Sequence, residues 1–221
     1  MVSRRRRADG RVLEALEFAA AAHAGQRRKD GRTPYIVHPV GVFRHLVADL
    51  GVEDADLGCT ALLHDVVEDS GVTVREVARR FGPRVARYVA ALTVPPELHG
   101  ERVPGEAKTR RLLDDVGSMP WEAVLVKLCD RWDNLEDVPN APWDRAKRRY
   151  YANQTQRILR ALRRRLRLGS PPRKLRSALL RGLDSVRRAA RSDAKPDASG
   201  GRGRGSGGAR ARSIPRRPKG R

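Results

Sequence analysis

The stretch LLHDVVEDSG, Leu62–Gly71, decides how this chain is read. Between His64 and Asp69 it packs one histidine and three carboxylates, interrupted only by Val66 and Val67. Its spacing predicts the end of a helix with one apolar face and one crowded with negative charge. Like charges that close repel unless a cation or a proton resolves them. Alone, the His-Asp pair reads more readily as a core histidine with a local hydrogen-bond partner.

Working outward, the pattern is helix after helix. Val12, Leu13, Leu16, Ala19, Ala20 and His23 recur at helical spacing. Residues 27–34 read as a loop broken by Gly31 and Pro34. Pro39 suits the first turn of a second helix whose Val40, Phe43, Leu46, Val47 and Leu50 form a stripe ended by Gly51. A third helix is predicted over 53–69 without interruption. Thr73 and Glu76 form a capping box for a fourth, and Gly82-Pro83 separates it from a fifth. The loop 93–105 holds three prolines and two glycines, long enough to suggest function. Helices near 106–116, 120–137 and 142–166 follow, then an amphipathic segment at 169–191. No period-2 strand stands out, so the expected class is all-α.

The 221 residues suffice for one domain with a full core. Charge divides them unevenly. Residues 163–221 carry 20 Lys and Arg against three Asp, a net of +17, while residues 1–162 carry 27 against 23. The expected layout is a basic extension at 1–9, a globular body at 10–168, the extra helix at 169–191 and a disordered Arg/Gly-rich tail at 192–221. Such a tail suits nonspecific contact with RNA or another polyanion, although a GC-rich genome gives the same bias toward Arg. Cys59 and Cys129 lie in helical segments with no CxxC, which fits free thiols in a reducing cytoplasm. No apolar run reaches the length of a membrane span.

Further residues separate a metal site from a core histidine. His38 precedes Pro39 at a loop-to-helix junction, and Asp130 sits on the apolar helix Val124–Asp130. A carboxylate among such neighbours is costly unless it is paired or binds a cation. Two imidazoles and two carboxylates suit Mn²⁺, Fe²⁺ or Zn²⁺. Glu68 and Asp69, three and four residues beyond Asp65, would rise one helical turn beside such an ion and could orient or deprotonate a water.

His38, His64-Asp65 and Asp130 form the H…HD…D pattern of the HD-domain metal phosphohydrolases. More narrowly, HAGQRRKDGRTPYIVHP (His23–Pro39), ALLHDVVEDS (Ala61–Ser70) and VKLCDRWDNLED (Val126–Asp137) resemble the hydrolase domain of RelA/SpoT proteins. The resemblance covers about residues 10–160 and implies an HD-domain helical bundle that cleaves the 3′-diphosphate of (p)ppGpp with a metal-activated water. At this length it implies a stand-alone hydrolase without the family's synthetase domain.

By matching positions, His38, His64, Asp65 and Asp130 would hold one Mn²⁺, and Glu68 and Asp69 would handle the nucleophilic water. Arg28, Lys29, Tyr35, Asn134 and, less directly, Lys108 would meet the substrate. Asp133 and Asp137 depart from the long bifunctional enzymes, which often carry His and Thr there. His45 and His99 read as surface or loop residues, and the three tryptophans as helix packing. Two other functions fit the same residues: phosphatase action on another nucleotide, such as the 2′-phosphate of NADPH, or a nucleotide-sensing module tethered to RNA.

Overall fold

The computed structural model describes residues 2–94, 97–98, 101–102 and 105–192; for 2–9, 97–98, 101–102, 105, 108 and 192 only the backbone is described. The expectations for the Lys108 side chain, His99 and the tail from residue 193 fall outside the described residues.

Helix α1 (Val2–Ala22) leads through the 27–34 loop to α2 (Val37–Arg44), then α3 (Ala55–Leu63), α4 (Val66–Asp69), α5 (Val74–Phe81) and α6 (Pro83–Leu92). Two short strands, β1 (Glu97–Leu98) and β2 (Glu101–Arg102), pair antiparallel with Glu97 opposite Arg102. Helices α7 (Gly105–Asp115), α8 (Trp121–Glu136), α9 (Arg145–Leu168) and α10 (Arg173–Ser192) follow. The all-α class holds, and the strand pair is a two-residue device inside the long loop. Among the described residues no helix is long and apolar enough to cross a membrane.

Helix α3 explains the architecture. Every residue from Leu57 to Leu63 is buried, the mark of a helix enclosed on all sides. Leu57 and Ala61 join an apolar cluster with α2, α6, α8, α9 and α10. Cys59, Leu62 and Leu63 join a second cluster with α1, α5 and α6. The His64-Asp65 pair is therefore delivered from the centre of the molecule. Helix α10 belongs to the first cluster through Ala178, Leu179, Leu183 and Val186, so the segment after residue 169 is part of the body.

Local signals worked where the chemistry is short-ranged. Thr73 Oγ1 accepts from Glu76 N at 3.1 Å, and Gly82, at φ 91°, turns the chain before Pro83 opens α6. Two expectations need correction. The helix over 53–69 is broken at His64-Asp65, where Asp65 has φ −103° and ψ −8°, in the bridge region common at active sites. The second helix passes into a π-turn over His45–Asp49, closed by Leu50 N to His45 O at 3.0 Å. The buried face carries Val42, His45 and Leu46, while Val40 and Val47 are exposed. His45 is consequently no surface residue: it stacks on Trp132 at 4.0 Å and meets Asp49 at 2.7 Å.

Candidate active site

The residues named from the three sequence blocks converge from α2, the α3–α4 junction and α8. His38 Nδ1 lies 2.6 Å from Asp133 Oδ2. That contact turns Nε2 toward Asp130 Oδ1 at 3.3 Å and Asp65 Oδ2 at 3.5 Å. His64 Nδ1 donates to Ala61 O at 2.9 Å, leaving Nε2 buried, 3.1 Å from Asp65 Oδ2 and without a hydrogen bond. His38, His64 and Asp65 each offer a ligand atom within 4.8 Å of the others, and Asp130 closes the ring through His38.

An imidazole whose Nδ1 is committed to a backbone carbonyl presents its Nε2 lone pair as a metal ligand does. The residues therefore fit a divalent ion, both by the orphaned buried nitrogen of His64 and by the mixed N/O donor set. Burial opposes charge on His64, yet the adjoining Asp65 carboxylate prevails and holds its pKa up at about 9. Burial likewise opposes charge on Asp130, but Lys127 at 2.7 Å and the two histidines keep it well below the usual carboxylate range.

Two acids follow on α4 and face different neighbours. Asp69 Oδ2 lies 3.2 Å from the Tyr35 hydroxyl, which donates to Asp65 Oδ2 at 2.7 Å. Burial first, and then Asp65, push the Tyr35 phenol far above its ordinary pKa. Glu68 Oε2 accepts from Val94 N at 3.0 Å and borders a cavity of about 210 Å³ with Lys127, Arg131 and Gln154. Two cations, Lys127 and Arg131, and two carboxylates, Glu68 and Asp115, thus line this recess, which Lys127 joins to Asp130.

The 27–34 loop is folded back on itself, with Arg28 N to Thr33 O at 2.8 Å and Tyr35 N to Gln26 O at 3.0 Å. Lys29 Nζ reaches Asn134 Oδ1 at 2.8 Å and stands 5.0 Å from the Trp143 ring and 5.4 Å from the Tyr151 ring. Burial, aided by the Arg28 charge, lowers the Lys29 pKa to about 8. Asn134 Nδ2 in turn donates to the Asp130 carboxylate. Arg28 is turned inward, 7% exposed, with Nη2 2.9 Å from Asp137 Oδ2 and 3.6 Å from Asp133 Oδ2.

Sequence reasoning missed several members. Asp133 and Asp137 were read as departures near a pocket; they are the carboxylates that anchor His38 and Arg28. Gly41 is needed for this: a Cβ there would overlap the Asp133 carboxylate. Trp143, read as packing, and Tyr151, which drew no reading, are T-shaped at 5.3 Å and both face Lys29. The aromatic pair at 143 and 151 on either side of a helix N-cap was the available signal.

The chain resembles known proteins in sequence and in fold. The family described as HD domain matches residues 15–169. The chain belongs to the HD-domain family. An HD domain takes a divalent metal, as the His38, His64 and Asp65 cluster allows. Relatives include the mouse protein named guanosine-3′,5′-bis(diphosphate) 3′-pyrophosphohydrolase MESH1, 41% identical over 128 residues, 58% of this chain and 69% of that protein. The Xenopus tropicalis protein of the same name is 35% identical over 156 residues, 69% of this chain and 84% of the relative. A bacterial relative, the guanosine-3′,5′-bis(diphosphate) 3′-pyrophosphohydrolase of Aquifex aeolicus, is 36% identical over 70% of this HD-domain chain but only 21% of its own length. A solved structure described as a metazoan ortholog of SpoT that hydrolyzes ppGpp superposes with a TM-score of 0.67 at 30% identity, covering 80% of this chain and 94% of that one.

Proposed function

We propose that this HD-domain protein is a metal-dependent (p)ppGpp 3′-pyrophosphohydrolase. Water attacks the phosphorus attached to the 3′-oxygen, that P–O bond breaks, and pyrophosphate leaves GDP or GTP with a free 3′-hydroxyl. The observation that carries the reading is the convergence of His38, His64 and Asp65, with Asp130 3.3 Å from His38 Nε2 and with His64 Nε2 buried and without a hydrogen bond. His38, His64, Asp65 and Asp130 would hold the ion, and Mn²⁺ suits this donor set. When bound, the ion supplies Lewis acidity toward water and toward the diphosphate.

The protein's own residues do the rest. Glu68 and Asp69 accept the proton of the attacking water, Asp69 being oriented by the Tyr35 hydroxyl. Lys29 and Asn134 meet the anionic nucleotide, with Trp143 and Tyr151 beside them as apolar walls for the nucleoside. Lys127 and Arg131 bring positive charge to the recess next to Glu68. Arg28, committed to Asp133 and Asp137, braces the ligand His38 in this reading as well as adding positive charge near the loop. The buried free thiols Cys59 and Cys129 fit a protein of the reducing cytoplasm.

The test is product analysis with the purified chain. Incubated with ppGpp and Mn²⁺, it should release GDP and pyrophosphate in equal amounts, and Glu68→Gln/Asp69→Asn should reduce turnover by about a hundredfold or more. An inert ppGpp beside rapid dephosphorylation of NADPH would replace this substrate with the other nucleotide. Silence toward both, with intact metal binding, would favour a sensing module.

A further inference from the structure

Helices α9 and α10 form a hairpin through the Gly169–Pro172 turn, and a cleft of about 910 Å³ runs between them. Arg160, Arg163, Arg164, Arg167 and Arg176 line it, together with Leu180, which is half exposed. Across residues 145–192 there are 17 Lys and Arg and a single acid, Asp184. That acid lies at the wall of the cleft and is already paired with Arg187 at 3.3 Å.

Other arginines of these helices are committed. Arg157 meets Glu106, Arg165 stacks on Trp121 and bonds Met119 O, and Arg181 bonds Leu50 O. The side chains of the five cleft arginines have no hydrogen bond, ion pair or ring partner among the described residues. Five uncompensated cations facing one recess repel one another, and the repulsion falls only when anions enter.

The spacing says which anion. Arg160, Arg163, Arg164 and Arg167 follow i, i+3, i+4, i+7, so they form one row about 10 Å long. That is longer than a single phosphate and suits a chain of them. Guanidinium groups bind phosphate oxygens bidentately and also stack on bases, which an ammonium cannot do. Leu180 offers an apolar contact from α10 across the cleft. A lipid surface is flat and would not reach into a recess between two helices. The chain beyond α10 continues with nine Lys and Arg over residues 193–221, in Arg-Gly alternation, a composition suited to single-stranded nucleic acid.

We infer that the α9–α10 cleft is a sequence-independent binding site for a single RNA strand, with its guanidinium row on successive phosphates. The site lies apart from the residues of the proposed hydrolysis and does not rest on that reading.

The experiment is fluorescence anisotropy with the full-length chain and a short mixed-sequence labelled RNA, titrated across a range of salt. The exposed triple variant R163Q/R164Q/R167Q should weaken binding about tenfold or more and reduce the salt slope by about two, from three lost phosphate contacts on a single strand. The control R75Q/R79Q/R87Q, which removes the same charge from α5 and α6, should change affinity less than about twofold. Equal losses in the two triple variants would overturn the cleft in favour of net charge. Undiminished binding by the cleft variant would assign the contact to the tail. Binding to phosphatidylserine vesicles but not to RNA would replace the partner.

Discussion

Between His38 and Arg28 stands one carboxylate, Asp133, whose Oδ2 lies 2.6 Å from the imidazole and 3.6 Å from the guanidinium. A carboxylate on the far nitrogen of a ligand histidine fixes its tautomer and raises its basicity. Asp133→Asn should therefore lower Mn²⁺ affinity about 10- to 100-fold with the fold intact, measured by calorimetric titration. Gly41→Ala should act in the same direction by displacing that carboxylate, and adding it to Asp133→Asn should cost little more, as expected for coupled residues. Lys29 makes a second prediction at this scale. With a pKa lowered to about 8, it is a cation below pH 8 and loses its proton above it. KM for ppGpp should therefore rise as pH passes upward through about 8. In Lys29→Arg, whose guanidinium stays charged, that rise should vanish. An unchanged pH profile in the arginine variant would remove Lys29 from the substrate contact.

At the level of elements, what was legible followed from local chemistry. The Thr73 cap, the Gly82-Pro83 junction and the apolar runs of α3 and α8 are written in residue types and spacing, and the structure bears them out. The four candidate ligands were also legible, because His and Asp on otherwise apolar segments have few inexpensive explanations. What tertiary packing decides was not legible. The break at His64-Asp65 leaves no mark in a 3.6 periodicity, since Leu62, Leu63 and Val66 stay apolar on both sides of it. The π-turn at His45 sits in a stripe that reads equally well as α. Helix α10 is a further case: its stripe predicts an amphipathic helix but does not say what covers it. Leu179 is fully buried in the cluster that contains Leu50 and Leu128. Leu179→Ala should thus cost about 2–5 kcal/mol in urea unfolding, as a core truncation does. A loss of under about 1 kcal/mol would return α10 to the status of an appendage.

For the molecule as a whole, the site is the point where elements from both apolar clusters meet. Helix α3 touches both clusters and ends at His64; α2 and α8 bring His38 and Asp130 to it from the larger one. An ion there would bridge segments far apart in sequence, from residue 38 to residue 130, and the unfolded chain presents no such set. Binding to the native state alone stabilises by about 2.7 kcal/mol at a hundredfold excess over Kd. In a body of this size each kcal/mol moves the melting temperature by about 2–4 °C. Mn²⁺ should accordingly raise Tm by about 5–11 °C and EDTA should reverse it. Asp65→Ala should abolish the metal-dependent shift, whereas R163Q/R164Q/R167Q should retain it in full. A shift preserved in Asp65→Ala would place the stabilising ion elsewhere on the protein, and the four-ligand centre would fall with it.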